Sequence, residues 1–506
     1  MKISFYRVKK GIKYLKHYGW KEFWVRVRER LETGDKDYDT WYQKHKVSEE
    51  ILKTQRETQF TYRPLISIVT PVYHTPPLYL RQMIESVQKQ SYENWELCIT
   101  NASLSNAEVT KILADYARND HRICVTEVEE NLGIAQNTNE ALNLASGEYV
   151  GFLDHDDLLA ADALYEVVRR LNENPELEMI YTDEDKVTDD LEKHFQPHFK
   201  PEFNLDLIRA NNYICHFCVI RRELVLEVGG FRKEFDGAQD YDLFLRCIEK
   251  TKGISRIPRI LYHWRVHKAS TADNPASKEY AFEAGKRAIE AHLERCGEKA
   301  TVSCKKDLGF YRVKYECKEE STQEYLLFQN RDVKAISPDW VEELRANCQR
   351  KEVGVVGAKI YYPNNTIQHA GMILGLGGVA GNLFSGMPKE FSGYMHKASL
   401  QQNLSAVTGE CMMVKRSAFE EVGGFTEGLS GVLRDADLCL KMREKGYLVV
   451  FDPYVEMIHY GAESKCVEEE CQYMKERWGQ LLQNDPMYNP NLTLEKCDYS
   501  VGEQKE

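Results

Sequence analysis

A pair of aspartates that follows a short apolar run is the strongest chemical signal in this chain of 506 residues. The run 148–153 leads directly into Asp154–Asp157, whose sequence is Asp-His-Asp-Asp. A free carboxylate is costly to bury, so we expect these side chains at the open end of a buried strand. Asp154 and Asp156 together can hold a hard divalent cation, which in turn can bind a diphosphate. The alternative is a solvated loop, and we interpret Asp157 as the cap of a helix that begins near Asp162.

Strand and helix patterns alternate ahead of this acidic cluster. Strand-like runs lie at 65–70, 95–100 and 124–127, and helical patterns occupy 80–87, 107–116 and 134–145. Alternation with short connections predicts βαβ units and a parallel sheet, which binds ligands at the carboxyl ends of its strands. Thr70–His74 stands where a dinucleotide-binding fold or a P-loop would need a Gly-rich loop, which argues against both classes.

Several motifs extend this pattern through the first part of the chain. They are Ile68–Tyr73, Asn131–Ala135, Leu153–Asp157, Tyr181–Lys186, Gly229–Phe231, Gln239–Asp242 and Tyr262–Arg265. Together these motifs resemble the family 2 glycosyltransferases of the GT-A fold, which transfer sugars from nucleotide-sugar donors with inversion. The resemblance is close over residues 40–300 and partial beyond them. It is nearest to bacterial enzymes that build cell-surface polysaccharides such as rhamnans and O-antigens.

The resemblance implies an α/β chain whose nucleotide-sugar-binding GT-A fold is a mostly parallel sheet flanked by helices. It also implies a divalent metal, Mn²⁺ or Mg²⁺, with Asp156 as its direct ligand. Asp154 would reach the donor ribose, or the metal through a water molecule. His267 fits the position of a further metal ligand better than His263 does, although a surface histidine remains an open alternative.

The resemblance also assigns the remaining site residues. Asp240 would be the general base that takes the proton of the acceptor hydroxyl, and the alternative is an N-cap of the following helix. The donor would contact Pro71, Val72, Tyr73, Asn101, Asn131, Gly133, Asn137, Asp154 and Asp156. Asn101 departs from the family, which usually has aspartate after the second strand to read the nucleobase and ribose. Its neutral amide leaves the affinity for the donor and the base preference open. The acidic run Thr182–Asp185 is either a solvated turn or a contact to acceptor or donor.

The second half of the chain repeats part of the first. Val219–Arg222 recurs as Met413–Arg416, Glu227–Phe231 as Glu421–Phe425, Asp240–Leu243 as Asp435–Leu438, and Gly147–Val150 as Gln323–Leu326. The second copy has too few residues ahead of it for a nucleotide-binding half. It carries Asn330, Arg331 and Asp332 where the first has Asp154–Asp156, and a neutral ligand beside a cation disfavours a metal. We therefore predict an incomplete second GT-A-like unit that transfers no sugar and serves acceptor binding or dimerisation.

Five parts follow from these patterns. They are a helical N-terminal segment and linker (1–63), a catalytic domain (64–300), a connector (301–322), the incomplete copy (323–465) and a C-terminal tail (466–506). Residues 1–31 combine ten Lys or Arg with interleaved aromatic residues. Such a segment can lie on an anionic membrane surface, or it can pack on the enzyme or on a partner subunit.

The composition of the chain limits the kinds of partner that it can bind. The net charge of −12 argues against nucleic acid, because neutralising phosphates requires a basic face. The sequence has neither a signal-peptide pattern nor an apolar run long enough to span a membrane. We expect a cytoplasmic protein, either free or peripheral on the inner face of the plasma membrane.

Three functions are consistent with the sequence. The first is an inverting, metal-dependent glycosyltransferase that uses a UDP- or dTDP-sugar and a glycan or lipid-linked acceptor, alone, as a homodimer or with a partner transferase. The second is a non-catalytic scaffold that binds glycan or a partner enzyme. The third is a nucleotidyltransferase, which would need a Gly-rich, Lys-bearing loop that the sequence lacks.

Overall fold

The computed structural model describes residues 35–267, 279–317, 324–462 and 466–502. The basic segment 1–31, for which membrane contact and packing on protein are the two alternatives, lies outside the described residues. The described chain forms two compact units. The first unit comprises Tyr38–Phe203 and Ile208–Val313, and the second contains Asn204–Leu207 and the described residues from Lys314 onward. The first unit thus begins within the predicted linker, and the domain limits inferred from the sequence stay predictions.

One mixed sheet dominates the first unit, in the order β3-β2-β1-β4-β8-β6-β9-β5 with β7 beside β6. Its strands are β1 (Ile66–Val72), β2 (Trp95–Asn101), β3 (Ile123–Glu127), β4 (Tyr149–Phe152), β5 (Leu158–Leu159), β6 (Met179–Thr188), β7 (His194–His198), β8 (Cys218–Arg221) and β9 (Ile254–Val266). The predicted α/β class and GT-A-like fold are confirmed. Strands β1 to β4 are parallel to one another, whereas β8 runs antiparallel between β4 and β6, so the sheet is mixed rather than mostly parallel.

Helices flank this sheet. They are α1 (Asp35–His45), α2 (Glu49–Glu57), α3 (Pro77–Gln88), α4 (Ala107–Asn119), α5 (Ile134–Leu144), α6 (Ala163–Glu173), α7 (Leu205–Ala210), α8 (Arg222–Glu227), α9 (Gln239–Ile248) and α10 (Glu279–Arg295). In α3 the predicted apolar face, Leu80, Met83, Ile84 and Val87, is fully buried against the sheet. This periodic burial fixes the orientation of the helix, because residues three and four apart share one face. The hairpin β10 (Ala300–Cys304) and β11 (Tyr311–Tyr315) follows α10.

The second unit contains the strands β12 (Tyr325–Gln329), β13 (Val333–Ala335), β14 (Val353–Tyr361), β15 (Ile367–His369), β16 (Met372–Leu374), β17 (Ala380–Asn382), β18 (Gln402–Asn403), β19 (Cys411–Lys415) and β20 (Leu448–His459). Its helices are α11 (Trp340–Cys348), α12 (Arg416–Glu421), α13 (Gly431–Glu444) and α14 (Glu468–Gln483). The core lies between the central strands and α11 and includes Leu344, Val356, Ile360 and Val450.

The second sheet repeats the topology of half of the first. Its order β12-β19-β14-β20-β13 corresponds to β4-β8-β6-β9-β5, and each pairing has the same direction in both sheets. Even the register shift recurs, at Thr182/Asp183 in β6 and at Ala358/Lys359 in β14. Among the described residues the main path of the second sheet ends at β12, so it has no counterparts of β1, β2 and β3. The predicted incomplete GT-A-like unit is therefore confirmed as a fold.

A search of the helices in the described part of the chain finds none with the length and apolar character to cross a bilayer.

The close packing of β14 predicts opposite outcomes for two glycine substitutions in the second unit. In Gly357→Ala the new Cβ would lie 2.5 Å from Cβ of Val407, so we expect unfolding to cost about 1–3 kcal/mol less. At Gly479 in α14 no described atom beyond the helix backbone lies within 4 Å of an added Cβ. Gly479→Ala should therefore stabilise by about 0.5–1 kcal/mol. Urea unfolding measures both, and equal effects would contradict this packing.

Candidate active site

The two aspartates after β4 lie at the carboxyl end of that strand, as the sequence predicts. The side chain of Asp154 is 46% exposed, and that of Asp156 is 20% exposed. His267, which follows β9, places Nε2 2.8 Å from Oδ2 of Asp156. His263 lies elsewhere, with its imidazole bonded to Asp185. The structure therefore brings Asp154, Asp156 and His267 to one edge of the sheet.

This set of donor atoms fits a hard divalent cation. Carboxylate oxygens are the ligands that Mg²⁺ and Mn²⁺ prefer, and imidazole is an acceptable addition for Mn²⁺. Two neighbouring ligands of an octahedral Mg²⁺ lie roughly 3 Å apart. The separation between Asp156 Oδ2 and His267 Nε2 is 2.8 Å, so a cation could be shared with little movement of either side chain. Asp154, exposed beside them, is free to contribute through a water molecule.

The helix-cap role predicted for Asp157 is wrong. Asp157 is 1% exposed, and its carboxylate accepts hydrogen bonds from the Tyr262 hydroxyl at 2.6 Å and from the Arg265 backbone N–H at 2.8 Å. Helix α6 is instead preceded by Asp162. Burial, with the charges of Asp156 and Asp154 nearby, raises the pKa of Asp157 well above its usual value. Asp157 thus joins the end of β4 to β9 and fixes the loop that carries the two aspartates.

Asp240 lies in the first turn of α9. Ala238 is the N-cap of this helix, so the capping alternative for Asp240 is wrong. Its carboxylate accepts a hydrogen bond from Nδ2 of Asn212 at 2.9 Å. Burial raises the pKa of Asp240, and the nearby His216 opposes that shift. A carboxylate with a raised pKa is a stronger proton acceptor, as a general base requires.

His216 links the two acidic positions and was not found from the sequence. Its Nε2 lies 3.8 Å from Oδ2 of Asp154, and its charge also influences the pKa of Asp240. The ring stacks on Tyr262 with centroids 4.6 Å apart and planes 12° from parallel. His216 stands in the apolar segment before β8 with no periodic or motif signal, so only the fold reveals its place.

The donor-side loop before α5 is held by amide side chains. Oδ1 of Asn131 accepts hydrogen bonds from the Gly133 N–H at 3.1 Å and from Nδ2 of Asn137 at 2.8 Å. Gly133 has φ of 95°, and a Cβ there would lie 2.5 Å from Oδ2 of Asp236. Asp236 also accepts from the Ala135 N–H at 3.0 Å, which satisfies the start of α5. Asp236 is a second residue that sequence reasoning missed.

The other predicted donor residues end two neighbouring strands. Pro71 and Val72 close β1, Tyr73 after them is 40% exposed, and Asn101 ends the adjacent β2. Asn101 is fully buried, its Oδ1 accepts from the Ser103 N–H at 3.0 Å, and its Nδ2 donates to Thr110 at 3.2 Å. Its amide therefore stabilises the turn after β2. Reading of a nucleobase by Asn101 stays a prediction.

The sequence suggested that the acidic run 182–185 is either a solvated turn or a contact to acceptor or donor, and the structure shows neither. It lies inside strand β6, and Asp183, Glu184 and Asp185 are 0%, 6% and 1% exposed. A buried carboxylate needs compensating partners, and each of these has them. Asp183 accepts from the Lys200 backbone N–H at 2.8 Å. The solvated turn and the direct ligand contact are both replaced by a buried charged layer.

Glu184 holds the loop that carries His216. Its carboxylate lies 3.6 Å from the Lys200 ammonium and 3.3 Å from Nδ1 of His198, and it accepts from the His216 N–H at 3.1 Å. Lys200, fully buried, also donates to the carbonyl oxygens of Ile214, at 2.7 Å, and of His216. Burial by itself raises the pKa of Glu184, but Lys200 and His198 outweigh it and lower that pKa to about 2.

Asp185 connects the site to helix α1. Its carboxylate lies 2.7 Å from Nδ1 of His263 and 2.8 Å from Nδ1 of His194, and it accepts from the Tyr38 hydroxyl at 2.7 Å. The Tyr42 hydroxyl is 3.1 Å from Nε2 of His263. The ligand atoms of Asp185, His194 and His263 lie within 4.8 Å of one another, but both carboxylate oxygens are already bonded to imidazoles.

Comparison with known proteins agrees with this geometry. The family model of Glycosyl transferase family 2 matches residues 67–229, which contain β1 to β4, β6 and the acidic pair. Residues 67–229 thus carry a domain that matches the model of this glycosyltransferase family.

Two relatives extend the similarity through the second unit. An uncharacterised protein, y4gI, of Sinorhizobium fredii is 38% identical over 87% of this chain and 59% of its own length. The O-antigen biosynthesis protein RfbC of Myxococcus xanthus is 30% identical over 93% of this chain and 44% of its own length. The chain thus spans about half the length of each of these relatives. Among solved structures, S. aureus TarS 1–349 in complex with UDP-GlcNAc is 20% identical, with 45% of this chain and 66% of that chain covered and a TM-score of 0.38.

The buried pair Glu184–Lys200 gives a stability prediction. Glu184→Gln leaves the Lys200 ammonium buried without its counter-charge, so we expect a loss of about 3–5 kcal/mol in the free energy of unfolding. Lys200→Met in the same chain should recover part of that loss by removing the uncompensated charge. Urea unfolding of the two single variants and the double variant measures this coupling. Additive losses would show that the two side chains do not compensate each other.

The same pair predicts how the loss depends on pH. Because folding lowers the pKa of Glu184 from 4.5 to about 2, its stabilisation is complete above about pH 4.5 and disappears as the pH falls through 2. The difference in stability between wild type and Glu184→Gln should therefore shrink over that interval. A difference that stayed constant from pH 5 to pH 2 would contradict the lowered pKa.

Proposed function

We propose that this chain is an inverting, divalent-metal-dependent glycosyltransferase that moves a sugar from a nucleotide-sugar donor to a growing cell-surface polysaccharide or lipid-linked acceptor. The observation that carries the proposal is the convergence of three groups at one edge of the sheet. They are the Asp156–His267 pair, the exposed Asp154, and Asp240 with a raised pKa. The Asp156–His267 pair and Asp154 can bind a metal and, through it, a diphosphate. Asp240 can accept a proton.

The metal-side residues have separate tasks in this proposal. Asp156 and His267 hold the cation, and Asp154 reaches it through water or contacts the donor ribose. When bound, the cation neutralises the charge that develops on the leaving diphosphate. Asp157 positions all three by fixing the loop against Tyr262 and Arg265, although it touches no substrate.

Asp240 takes the proton of the acceptor hydroxyl as that oxygen attacks the anomeric carbon. Attack on the face opposite the leaving diphosphate inverts the configuration at that carbon. Asn212 orients the carboxylate, and burial makes it a better base than an exposed aspartate. His216 lies between Asp240 and Asp154, where a positive charge would balance the two carboxylates.

The donor is a UDP- or dTDP-sugar that we place against the ends of β1 and β2 and the loop before α5. Pro71 and Val72 end β1, Tyr73 follows it, and the Asn131 amide holds the turn before α5. Asn101 stabilises the turn after β2. The name of the Myxococcus xanthus relative, an O-antigen biosynthesis protein, favours a cell-surface glycan or its lipid-linked precursor as the acceptor.

The second unit transfers no sugar in this proposal. It lacks counterparts of the donor-side strands among the described residues, and Arg331 places a cation where a metal would bind. Asp435, at the position of Asp240, accepts from the Gly409 N–H at 2.7 Å and pairs with Arg434 at 2.9 Å. A carboxylate used in this way is a structural ion-pair member rather than a base.

The first test replaces the metal ligand. Asp156→Ala should lower transfer from a panel of nucleotide sugars by at least about 100-fold, measured as nucleotide release with and without Mn²⁺. Asp332→Ala, the same change at the equivalent place in the second unit, should leave the rate nearly unchanged. Full activity of Asp156→Ala in EDTA would refute the metal role. Residual activity of Asp156→Ala that vanished on adding Asp332→Ala would make the second unit catalytic.

The second test separates the base from donor binding. Asp240→Asn keeps the size of the side chain and removes its ability to accept a proton, so turnover should fall by about 10²–10⁴-fold while donor affinity is retained. Wild-type turnover should also fall as the pH drops through the raised pKa of Asp240, because the base must be ionised. Calorimetry with the nucleotide sugar and initial rates measure the two properties. Equal losses of affinity and turnover would indicate a structural role.

A further inference from the structure

The second unit contains a polar pocket with a volume of about 70 Å³. Its polar lining comes from Gln368, His369, Asn382, Thr408 and Glu410, and apolar side chains of Ile360 and Val432 complete it. A buried water molecule needs roughly 10–15 Å³ by this measure, so the pocket has room for several waters or for part of one sugar ring.

Three buried polar atoms, two on the lining of this pocket and a third on a residue bonded to Gln368, have no hydrogen-bond partner among the described residues. They are Nε2 of His369, Oε2 of Glu410 and Nε2 of His459. His369 and His459 are 1% and 2% exposed. Nε2 of His459 is 3.8 Å from Oε2 of Glu410, which is too long for a hydrogen bond. Buried polar atoms are normally satisfied, so these atoms indicate that water or a ligand occupies the pocket.

The pocket lies at the place where the first unit has its proposed transfer site. Tyr149 pairs with Arg221 in the first sheet as Tyr325 pairs with Lys415 in the second, and this register sets Glu410 at the position of His216. In the second sheet the pocket therefore lies beside the position that His216 occupies in the first. In the second unit that place no longer has the acidic pair that would attract a metal.

The chemistry of the lining selects a neutral ligand rich in hydroxyl groups. Burial lowers the pKa of His369 to about 4, and Asn382 Oδ1 lies 2.8 Å from its Nδ1. The neutral ring therefore donates from Nδ1 and offers a lone pair at Nε2. Nε2 of His369 and Oε2 of Glu410 require donors, while Thr408 and the amides can do both. Vicinal hydroxyl groups meet these needs, whereas a phosphate would face the Glu410 carboxylate.

A cation is the less suitable ligand. The lining supplies one carboxylate, and its other polar side chains are neutral amides, a hydroxyl and an uncharged imidazole. Hard divalent cations favour several carboxylate oxygens.

We propose that this pocket is a saccharide-binding site, which receives part of one pyranose ring of the glycan that the first unit extends. The proposal rests on the proposed function for the identity of the glycan, while the binding itself is independent of transfer. In this proposal the second unit binds the product or acceptor chain and does not catalyse transfer.

The test is saturation-transfer NMR and calorimetry on the full chain with methyl glycosides of glucose, galactose, mannose, rhamnose and N-acetylglucosamine. At least one should bind saturably. Glu410→Gln should weaken that binding about tenfold, because a hydrogen bond to a charged acceptor is lost. Glu427→Gln, the same change at an exposed position of this unit, should not. Glu410→Gln could also lower the melting temperature. In that case the binding of the glycosides is measured with Thr408→Val, which removes one hydroxyl at nearly constant volume.

Three results would overturn the proposal. They are no saturable binding of any glycoside, binding that neither Glu410→Gln nor Thr408→Val weakens, and binding of Mn²⁺ or inorganic phosphate to the Asp156→Ala chain that Glu410→Gln removes. If the wild type transferred no sugar, the proposed function would be refuted, but the glycoside-binding measurement would still test this proposal. The two proposals therefore fail separately.

Discussion

Compensation of buried charge is the constraint on which the first unit depends. Strand β6 places three successive carboxylates in the interior, and a buried carboxylate without partners costs several kcal/mol. The partners come from separate elements: Lys200 and His198 for Glu184, and His194, His263 and Tyr38 for Asp185. Satisfying these charges therefore fixes the loop before β8, the strand β9 and helix α1 at once.

The exposed groups of the candidate site rest on this buried layer. His216 is held through its backbone N–H by Glu184 and through its carbonyl by Lys200, which positions its ring near Asp154 and Asp240. Beside the metal-side aspartates, the buried carboxylate of Asp157 is likewise satisfied by hydrogen bonds from Tyr262 and Arg265. Preorganised groups need not reorganise during a reaction, which is the main electrostatic advantage of an enzyme site.

Local patterns predicted much of this arrangement and failed where partners are distant. The α/β order, the acidic pair after β4 and the repeat could be found from apolar periodicity and motif spacing, because these signals are local. The run 182–185 was misinterpreted because its compensating partners, such as Lys200 and His263, are brought near only by the folded sheet. Asp157 was given the wrong role, and His216 and Asp236 were missed, for the same reason. Nothing in the residues beside them marks their partners.

The links from α1 to the acidic strand have a kinetic consequence. Tyr38 and Asp185 are 147 residues apart in sequence, and Tyr42 and His263 are 221 apart. Contacts between such distant residues close long loops, and chains dominated by them fold slowly. The sheet half β1–β3 can form from neighbouring βαβ units, whereas the charged layer must await β9. During folding, the nucleotide-side strands would therefore form before the active site is complete.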